Sequence, residues 1–435
     1  MAKEIPVPKN RASRLLQLGR LAGGIAGQVL SDSASTLAAG KPLRATELLL
    51  TPANAMRLAK RLSVMRGAAM KVGQLLSMEA GDYLPPLLTE ILAGLRESAH
   101  PMPLGQVAKV LDEAWGKRWD DAFRQFSFTP LAAASIGQVH EATTRDGRHL
   151  AIKVQYPGVR KSIDSDVDNA AALFKLLQLI PKDFDLTTLL EEAKHQLHQE
   201  ADYCAEAESI AEYSRFIGCD SGFELPSVDR SLTTSDVLAM SFVPGVPIET
   251  LFDAPHALRN HVAKRLLALA LKEVFEWGLI QTDANFGNYR YQPEQDRIGL
   301  LDFGATRHYS NDRVYAFRRL VGAAQDGKAS AIESHAIKLG YLRAGEHESY
   351  RQGLCAMIST VAEPMRYQGL FDFGTSDLSQ RVAELAISLR LKQRYMHLPP
   401  TDMLFLHRKL AGTYLLCARL RAQVNVKSLV TPYIQ

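Results

Sequence analysis

The stretch Ile298-Gly299-Leu300-Leu301-Asp302-Phe303-Gly304 places an apolar run, typical of a β-strand, directly before an Asp-Phe-Gly turn. Asp283 lies nineteen residues earlier, and Asn288 follows Asp283 by five residues. Nearer the N-terminus, Leu150-Ala151-Ile152-Lys153 puts a lysine on another predicted strand. Each signal is weak alone. Their order and spacing together match the residue set that kinases use for phosphoryl transfer.

Each of these residue types suits one task in handling a nucleotide. The Lys153 ammonium can hold the α- and β-phosphates of ATP, while Asn288 and Asp302 offer the oxygen ligands that Mg²⁺ prefers. Asp283 can accept a proton from a hydroxyl group or orient a water molecule. The sequence therefore predicts ATP and Mg²⁺ as ligands, with Lys153 and Asp283 as catalytic residues.

Composition narrows the class of protein. The chain has 435 residues with a formal net charge of +4, which argues against nucleic-acid binding as its main task. The four cysteines are not at metal-ligand spacing and are expected to be reduced thiols. No run of eighteen apolar residues occurs, so no transmembrane helix is predicted.

The order of predicted elements indicates an α+β, kinase-like fold with a small β-rich N-lobe and a helical C-lobe. We expect a basic N-terminal arm at 1–45, a helical extension at 46–125, the N-lobe at 126–245 and the C-lobe at 246–435. The N-lobe prediction has strands at 126–140 and 150–155 joined by a turn at 145–147, helices at 162–180 and 187–216, and a strand pair at 224–229 and 236–243.

The loop before the lysine strand departs from the glycine-rich pattern of ordinary kinases. Ala132, Ala133, Ala134 and Ser135 stand where glycines would let backbone amides approach the phosphates. Successive N–H groups in such a loop can still form an anion nest, so these four residues are predicted to bind the nucleotide.

The last strand of the N-lobe is predicted to lead into the hinge. It runs through Val237-Leu238-Ala239-Met240-Ser241-Phe242-Val243. We expect the backbone there to hydrogen-bond the adenine ring, with Met240 and Phe242 as contact residues.

Three motifs together resemble those of the UbiB/AarF family of atypical kinases, which includes the mitochondrial coenzyme Q kinase-like proteins. They are Lys71-Val72-Gly73-Gln74, the alanine-rich loop at 132–135, and Glu200-Ala201-Asp202. The similarity runs from about residue 50 to the C-terminus. Gln281-Thr282-Asp283, in place of His-x-Asp, is closer to the mitochondrial branch. The two C-terminal membrane helices of the bacterial type protein are absent from this sequence.

The resemblance implies regulatory roles for several residues. Lys71 and Gln74 would fold across the site where a protein substrate would otherwise bind, and Glu200 would pair with Lys71. Glu206 would pair with Lys153. Asp202 lies four residues before Glu206, so on one continuous helix the two carboxylates would share a face.

The resemblance also implies an ATPase-like enzyme that supports ubiquinone biosynthesis by handling a lipid-quinone precursor, with quinone-biosynthesis proteins as partners. A small-molecule or protein kinase, and a non-catalytic scaffold of a quinone-biosynthesis complex, stay open as alternatives. Arg11, Arg14 and Arg20 precede an apolar segment at 21–30, which is suited to an anionic membrane surface. We expect a cytoplasmic protein that associates peripherally with the inner membrane; Glu4 disfavours a mitochondrial presequence.

Overall fold

The computed structural model describes residues 68, 72, 101–134, 136–176, 187–218, 222–393 and 399–434. These residues form two compact units. The first contains the described residues up to Ala207 together with Val228–Phe242, and the second contains those of Glu208–Ser227 and Val243–Gln435. The mixture of sheets and helices confirms the α+β class. Within the described residues, no helix is both long enough and apolar enough to cross a membrane.

Strands and helices are numbered here in chain order. The strands are β1 (Phe123–Phe126), β2 (Ala132–Ala133), β3 (Gly137–Thr144), β4 (His149–Gln155), β5 (Phe223–Glu224), β6 (Val237–Ser241), β7 (Val246–Pro247), β8 (Leu279–Gln281), β9 (Tyr289–Gln292), β10 (Arg297–Leu300), β11 (Thr306–His308), β12 (Phe371–Asp372) and β13 (Gln423–Val424). The α-helices are α1 (Leu104–Trp115), α2 (Val159–Leu176), α3 (Thr187–Glu200), α4 (Tyr203–Ile217), α5 (His256–Lys272), α6 (Asn311–Asp326), α7 (Ala329–Leu339), α8 (Glu348–Val361), α9 (Glu363–Arg366), α10 (Leu378–Gln393), α11 (Thr401–Arg419) and α12 (Val426–Ile434).

The first unit is built on an antiparallel sheet in the order β1-β3-β4-β6, with β2 paired to β3. The predicted turn between β3 and β4 is present. Gly147 has a φ of +89°, a conformation that favours glycine, and its amide donates to the Thr144 carbonyl at 3.0 Å. This hairpin fixes which face of β4 each side chain occupies.

The hydrophobic core of the first unit lies on one face of that sheet. Leu150, Ile152 and Val154 alternate along β4 and pack in one cluster with Val107 and Leu111 of α1. Lys153 falls between Ile152 and Val154, so the two-residue period of a strand directs it to the opposite face. The core therefore sets the direction in which the lysine points.

Three sequence predictions about secondary structure differ from the structure. The strand predicted at 126–140 is divided among the end of β1, β2 and the first part of β3. The helix predicted at 187–216 is interrupted at 201–202, which separates α3 from α4. The strands predicted as a pair at 224–229 and 236–243 meet in a single antiparallel bridge between Val228 and Met240, and their longer ladders lie elsewhere: β5 runs parallel to β10, whereas β6 is antiparallel to β4. Strand partners depend on contacts distant in sequence, and local alternation does not reveal them.

The second unit is mainly helical and contains a sheet in the order β5-β10-β9-β7 and a short β11-β8 pair. The strand predicted directly before Asp302 is confirmed as β10, which pairs antiparallel with β9. A π-helical turn at Glu273–Trp277 follows α5 and ends at Gly278, whose φ is +59°. This turn leads into β8, and the segments after β8 and β10 carry Asp283 and Asp302.

Candidate functional site

Lys153 of β4 forms a buried ion pair with Glu206 of α4. The ammonium nitrogen lies 2.9 Å and 2.8 Å from the two carboxylate oxygens. The Glu206 side chain is fully buried and the Lys153 side chain is 9% exposed. The ammonium also lies 5.3 Å from the centroid of the Tyr203 ring. The predicted pairing of Glu206 with Lys153 is thus confirmed, while the catalytic role of Lys153 stays a prediction.

The junction between α3 and α4 is fixed from the β4 side. Gln155 and Arg160 both donate to the Ala201 carbonyl, at 2.9 Å and 2.6 Å, and Arg160 also donates to the Ser235 carbonyl at 2.8 Å. These bonds satisfy a carbonyl that the end of a helix leaves without an intrahelical partner. They hold the start of α4, and with it Glu206, next to the sheet.

Asp202 has a different place from the predicted one. It precedes α4, and its Oδ1 accepts from the backbone amides of Cys204 at 3.1 Å and Ala205 at 3.4 Å. Aspartate is a preferred residue at helix N-termini for this reason. Because the helix is interrupted before Tyr203, Asp202 and Glu206 do not share a face of one continuous helix. Glu200 ends α3; Lys71 and Gln74 lie outside the described residues, so the predicted Glu200–Lys71 pair stays a prediction.

The alanine-rich loop forms a tight hairpin between β2 and β3. The Leu131 amide donates to Val139 at 2.8 Å and the Ala134 amide donates to Gly137 at 2.9 Å. These two amides are thus engaged within the hairpin, and the nucleotide-binding role of residues 132–135 stays a prediction. Ala132 and Ala133 are exposed, and Ser135 lies outside the described residues.

Gly137 allows close packing beside the ion pair. A Cβ atom at this position would lie 2.5 Å from the Val154 carbonyl oxygen and 2.7 Å from the Tyr203 hydroxyl. Any larger residue would have to displace both the β4 backbone at Val154 and the Tyr203 side chain. The glycine therefore serves the packing of α4 against the sheet.

The predicted adenine contacts lie at the end of β6. The Phe242 amide donates to the His149 carbonyl at 3.0 Å, and its ring stacks on His149 with centroids 4.4 Å apart. Met240 is paired with Ala151. Because hydrogen-bonded pairs alternate along an antiparallel ladder, the Met240 backbone also faces β4. On the other edge of β6, Met240 forms an antiparallel bridge with Val228, and the Asp229 amide donates to the Ala239 carbonyl at 2.9 Å. The adenine contacts of Met240 and Phe242 stay a prediction.

In the second unit, Gln281 joins the two segments that carry the predicted acidic residues. Its buried side-chain amide donates to the Asp283 carbonyl at 3.0 Å and to the Asp302 carbonyl at 3.1 Å. The Thr282 amide donates to the Ala305 carbonyl at 3.1 Å, beside the same turn. The sequence separation of nineteen residues is therefore bridged by one glutamine side chain.

Asp283 and Asn288 occupy one loop and contact each other through the backbone. The Asn288 side-chain nitrogen donates to the Asp283 carbonyl at 3.0 Å, which directs the Asn288 Oδ1 away from that carbonyl. The Asp283 Oδ1 accepts from the Arg408 guanidinium at 2.6 Å. Arg408, on α11, was not assigned a role from the sequence, since 125 residues separate it from its partner.

Asp302 begins a turn in which its Oδ1 accepts from the Gly304 amide at 3.0 Å. The next residue, Phe303, is buried and packs edge-on against Tyr213 with centroids 5.0 Å apart. The buried phenylalanine anchors the turn in the core of the second unit. Asn288 and Asp302 together provide the amide and carboxylate oxygens that a hard divalent cation prefers.

A second Asp-Phe-Gly occurs at Asp372-Phe373-Gly374, for which no role was predicted from the sequence. The Asp372 oxygens accept from the Gly374 amide at 2.9 Å, the Thr375 amide at 3.2 Å and the Gln423 side chain at 2.9 Å. The bond from Gln423 holds the pKa of the Asp372 carboxyl below its usual range. The first residue of this second triplet lies in β12, which pairs with β13. Its carboxylate closes the turn that follows β12.

A buried cluster of charged residues contacts the backbone of Gln281. Glu273 accepts from the backbone amide of Gln281 at 3.2 Å and from the Tyr213 hydroxyl at 2.6 Å. It also forms an ion pair with Lys409 at 2.5 Å. Burial lowers the pKa of Lys409, but the charges of Glu273 and Tyr289 and the hydrogen bonds to them together outweigh burial and raise that pKa overall. Burial, together with the Glu273 charge, raises the pKa of Tyr213. The lysine therefore stays charged and the tyrosine stays neutral.

The expectation that the cysteines are reduced thiols stays a prediction. Cys204, Cys355 and Cys417 are free thiols, and Cys219 lies outside the described residues. No group of three or more His, Cys, Asp or Glu side chains arranged to hold a metal ion occurs among the residues that the structure describes.

Comparison with known proteins identifies relatives along nearly the whole chain. The model of the ABC1 atypical kinase-like domain matches residues 94–336. The mitochondrial atypical kinase COQ8B of Rattus norvegicus is 35% identical over 430 residues, which is 98% of this chain and 81% of that protein. The mitochondrial atypical kinase COQ8 of Saccharomyces cerevisiae is 35% identical over 429 residues, covering 98% of this chain and 85% of the relative.

A solved structure shows the same kinship. Rv3197 of Mycobacterium tuberculosis, determined in complex with erythromycin, is 26% identical and superimposes with a TM-score of 0.62. The match covers 87% of this chain and 95% of that structure.

Proposed function

The chain belongs to the ABC1 (UbiB-type) atypical kinase family, and we propose that it binds Mg·ATP, cleaves the terminal phosphoryl group, and thereby supports ubiquinone biosynthesis. The link to the quinone pathway is supported by the COQ8 atypical kinases, to which the chain is similar over almost its full length. Neither the phosphoryl acceptor nor a lipid is named by these similarities, so both are part of the proposal.

The buried Lys153–Glu206 ion pair is the observation that carries the proposal. In kinases a strand lysine must be paired with a helix glutamate before it can hold the α- and β-phosphates. Here both carboxylate oxygens accept from the ammonium, and burial keeps the pair out of water. A structural ion pair gains little from this arrangement, because desolvation offsets most of the attraction. A lysine held ready for an anionic ligand accounts for it better.

The residues of the second unit suit magnesium. The Asn288 amide is oriented by its bond to the Asp283 carbonyl, so its oxygen is presented for coordination. The Asp302 carboxylate, which accepts from the Gly304 amide, supplies the second kind of oxygen ligand. A magnesium ion held by these two residues would neutralise charge on the phosphate oxygens during transfer.

Asp283 is the group best placed to act on the attacking hydroxyl. Its Oδ1 is bonded to Arg408, and within the described part of the chain its Oδ2 has no hydrogen-bond partner. In the proposed step the oxygen of water, or of an acceptor hydroxyl, bonds to the γ-phosphorus. Its proton passes to the Asp283 Oδ2, and the bond between the γ-phosphorus and the β–γ bridging oxygen breaks to release ADP.

The fate of the labelled phosphate tests this proposal. Purified protein is incubated with γ-labelled ATP and Mg²⁺, with and without anionic liposomes that carry a quinone precursor. Label released as inorganic phosphate, more so with liposomes, is the expected result. Label on protein or on a small molecule would favour a kinase, whereas no turnover by a protein that still binds ATP would favour a scaffold.

A further inference from the structure

One face of helix α11 lies directly against the loop that carries Asp283. The Arg408 Nη2 donates to the Asp283 Oδ1 at 2.6 Å. The Arg408 side chain is 13% exposed and the Asp283 side chain is 28% exposed, so this ion pair is shielded from most of the solvent. Charge-assisted bonds of this length are among the stronger hydrogen bonds in proteins.

Gly412 provides a second, independent contact between the same face and the same loop. It lies four residues after Arg408, which places both on one side of the helix. A Cβ atom at Gly412 would lie 2.6 Å from the Cβ atom of Ala284, the residue that follows Asp283. Glycine is disfavoured inside helices, but here the lack of a side chain permits the close approach.

We propose that this face positions the loop for catalysis, with Arg408 as a positioning residue that orients the Asp283 carboxylate. The inference rests on the proposed function. With Oδ1 held by the guanidinium, Oδ2 is turned toward the incoming hydroxyl. Without Arg408 the carboxylate could rotate about its χ2 bond, and a displacement of about 1 Å can cost about a hundredfold in rate.

The neighbouring cation on α11 has a different task. Lys409 is 4% exposed and pairs with Glu273, behind Gln281 rather than at Asp283. Consecutive helical residues point about 100° apart, so the two cations reach different carboxylates. Arg408 is therefore the member of this pair that acts on the reacting group itself.

Chemical rescue separates positioning from mere structural support. Arg408→Ala is expected to lower kcat for ATP hydrolysis about a hundredfold while leaving the KM for ATP near the wild-type value. Guanidinium ion, added at concentrations well below those that denature the protein, should refill the space and restore part of the lost kcat. Arg408→Lys should recover little, because an ammonium lacks the planar fork of the guanidinium.

Arg381→Ala is the matched control. Like Arg408, Arg381 lies in the second unit and donates to carboxylates. Its partners are Glu363 at 2.7 Å and Asp377 at 2.7 Å. Its loss should leave kcat unchanged, and guanidinium should have no activating effect. The Gly412 contact has its own test: Gly412→Ala should lower kcat without guanidinium rescue, and adding Ala284→Gly should restore it.

The outcomes separate the two claims. Absence of hydrolysis by the wild-type protein would remove the proposed function. If the wild-type protein is active, the positioning role is overturned when Arg408→Ala retains wild-type kcat, or when its lost activity is not rescued by guanidinium. If Arg408→Ala does not fold, Arg408→Lys decides, since a wild-type kcat in that variant would refute the inference.

Discussion

The Lys153–Glu206 pair makes a sharp prediction for stability. Lys153→Met leaves the fully buried Glu206 carboxylate without the ammonium that contacts both of its oxygens. Removing one partner of a buried ion pair typically costs about 3–5 kcal/mol. Glu206 lies in the first turn of α4, where the helix dipole offsets about 1 kcal/mol of that cost. We therefore expect the variant to lose about 3 kcal/mol in the free energy of unfolding.

Thermal unfolding measures this loss. For a folding unit of this size, each kcal/mol lowers Tm by about 2–4 °C, so Lys153→Met should unfold about 10 °C below the wild-type protein. The double variant Lys153→Met/Glu206→Leu removes both charges and should recover most of the difference, because apolar replacements of buried pairs are nearly neutral. A Tm of Lys153→Met within about 2 °C of wild type, or a double variant at least as unstable as the single one, would refute the reasoning.

Three further predictions follow from other contacts. Burial lowers the pKa of His407 to about 4 from 6.5. The Tyr341 hydroxyl, whose own pKa burial raises, is hydrogen-bonded to the His407 Nε2 at 2.7 Å. As the pH falls below 6.5, the unfolded chain therefore takes up a proton at this histidine that the folded chain does not. The resulting stability is present above pH 6.5 and declines by up to about 3 kcal/mol as the pH falls through 4, and His407→Gln should flatten that part of the curve of unfolding free energy against pH. Gly137→Ala should lower the free energy of unfolding by about 1–3 kcal/mol in denaturant titrations. Gly105→Ala should not destabilise the protein, because the space around the Cβ position of residue 105 is open. Equal effects of the two substitutions would contradict the packing argument. Gln281→Leu removes both hydrogen bonds that join the Asp283 and Asp302 segments. It should reduce kcat by about a hundredfold while the thermal unfolding curve stays that of the wild-type protein. An unchanged kcat would mean that these two bonds are dispensable.

The sequence predicts well those features that depend on local pattern. The β3-β4 hairpin follows from the glycine turn at Gly147, and β10 follows from the apolar run before Asp302. The direction of Lys153 follows from the two-residue period of a strand whose other face is apolar. For these elements, neighbouring residues carry the information.

The break between α3 and α4 was missed although a signal was present. Asp202 is followed by a fresh helical segment, and aspartate at that position is a frequent N-cap. A single helix over 187–216 leaves this capping signal out of account. Capping chemistry was the better guide at this point.

The contacts of α11 could not be predicted from local sequence. Arg408 and Lys409 stand next to each other, yet their partners are Asp283 and Glu273, and only the packing of α11 in the second unit shows which cation meets which carboxylate. Likewise, the two Asp-Phe-Gly triplets are the same three letters. Asp302 follows the β9-β10 hairpin, whereas Asp372 ends β12, which pairs with β13, and closes the turn after it, a distinction that depends on strand pairing.

The central claim is that Asp302, with Asn288, serves magnesium-dependent cleavage of ATP. The most direct test compares the magnesium-dependent rate of ATP hydrolysis for the wild-type protein, Asp302→Asn and Asp372→Asn. Both aspartates accept a bond from the glycine two residues later, so the same substitution is made in two similar turns. We predict that Asp302→Asn loses the magnesium-dependent rate while Asp372→Asn keeps it. A wild-type rate in Asp302→Asn, or an equal loss in both variants, would contradict the assignment.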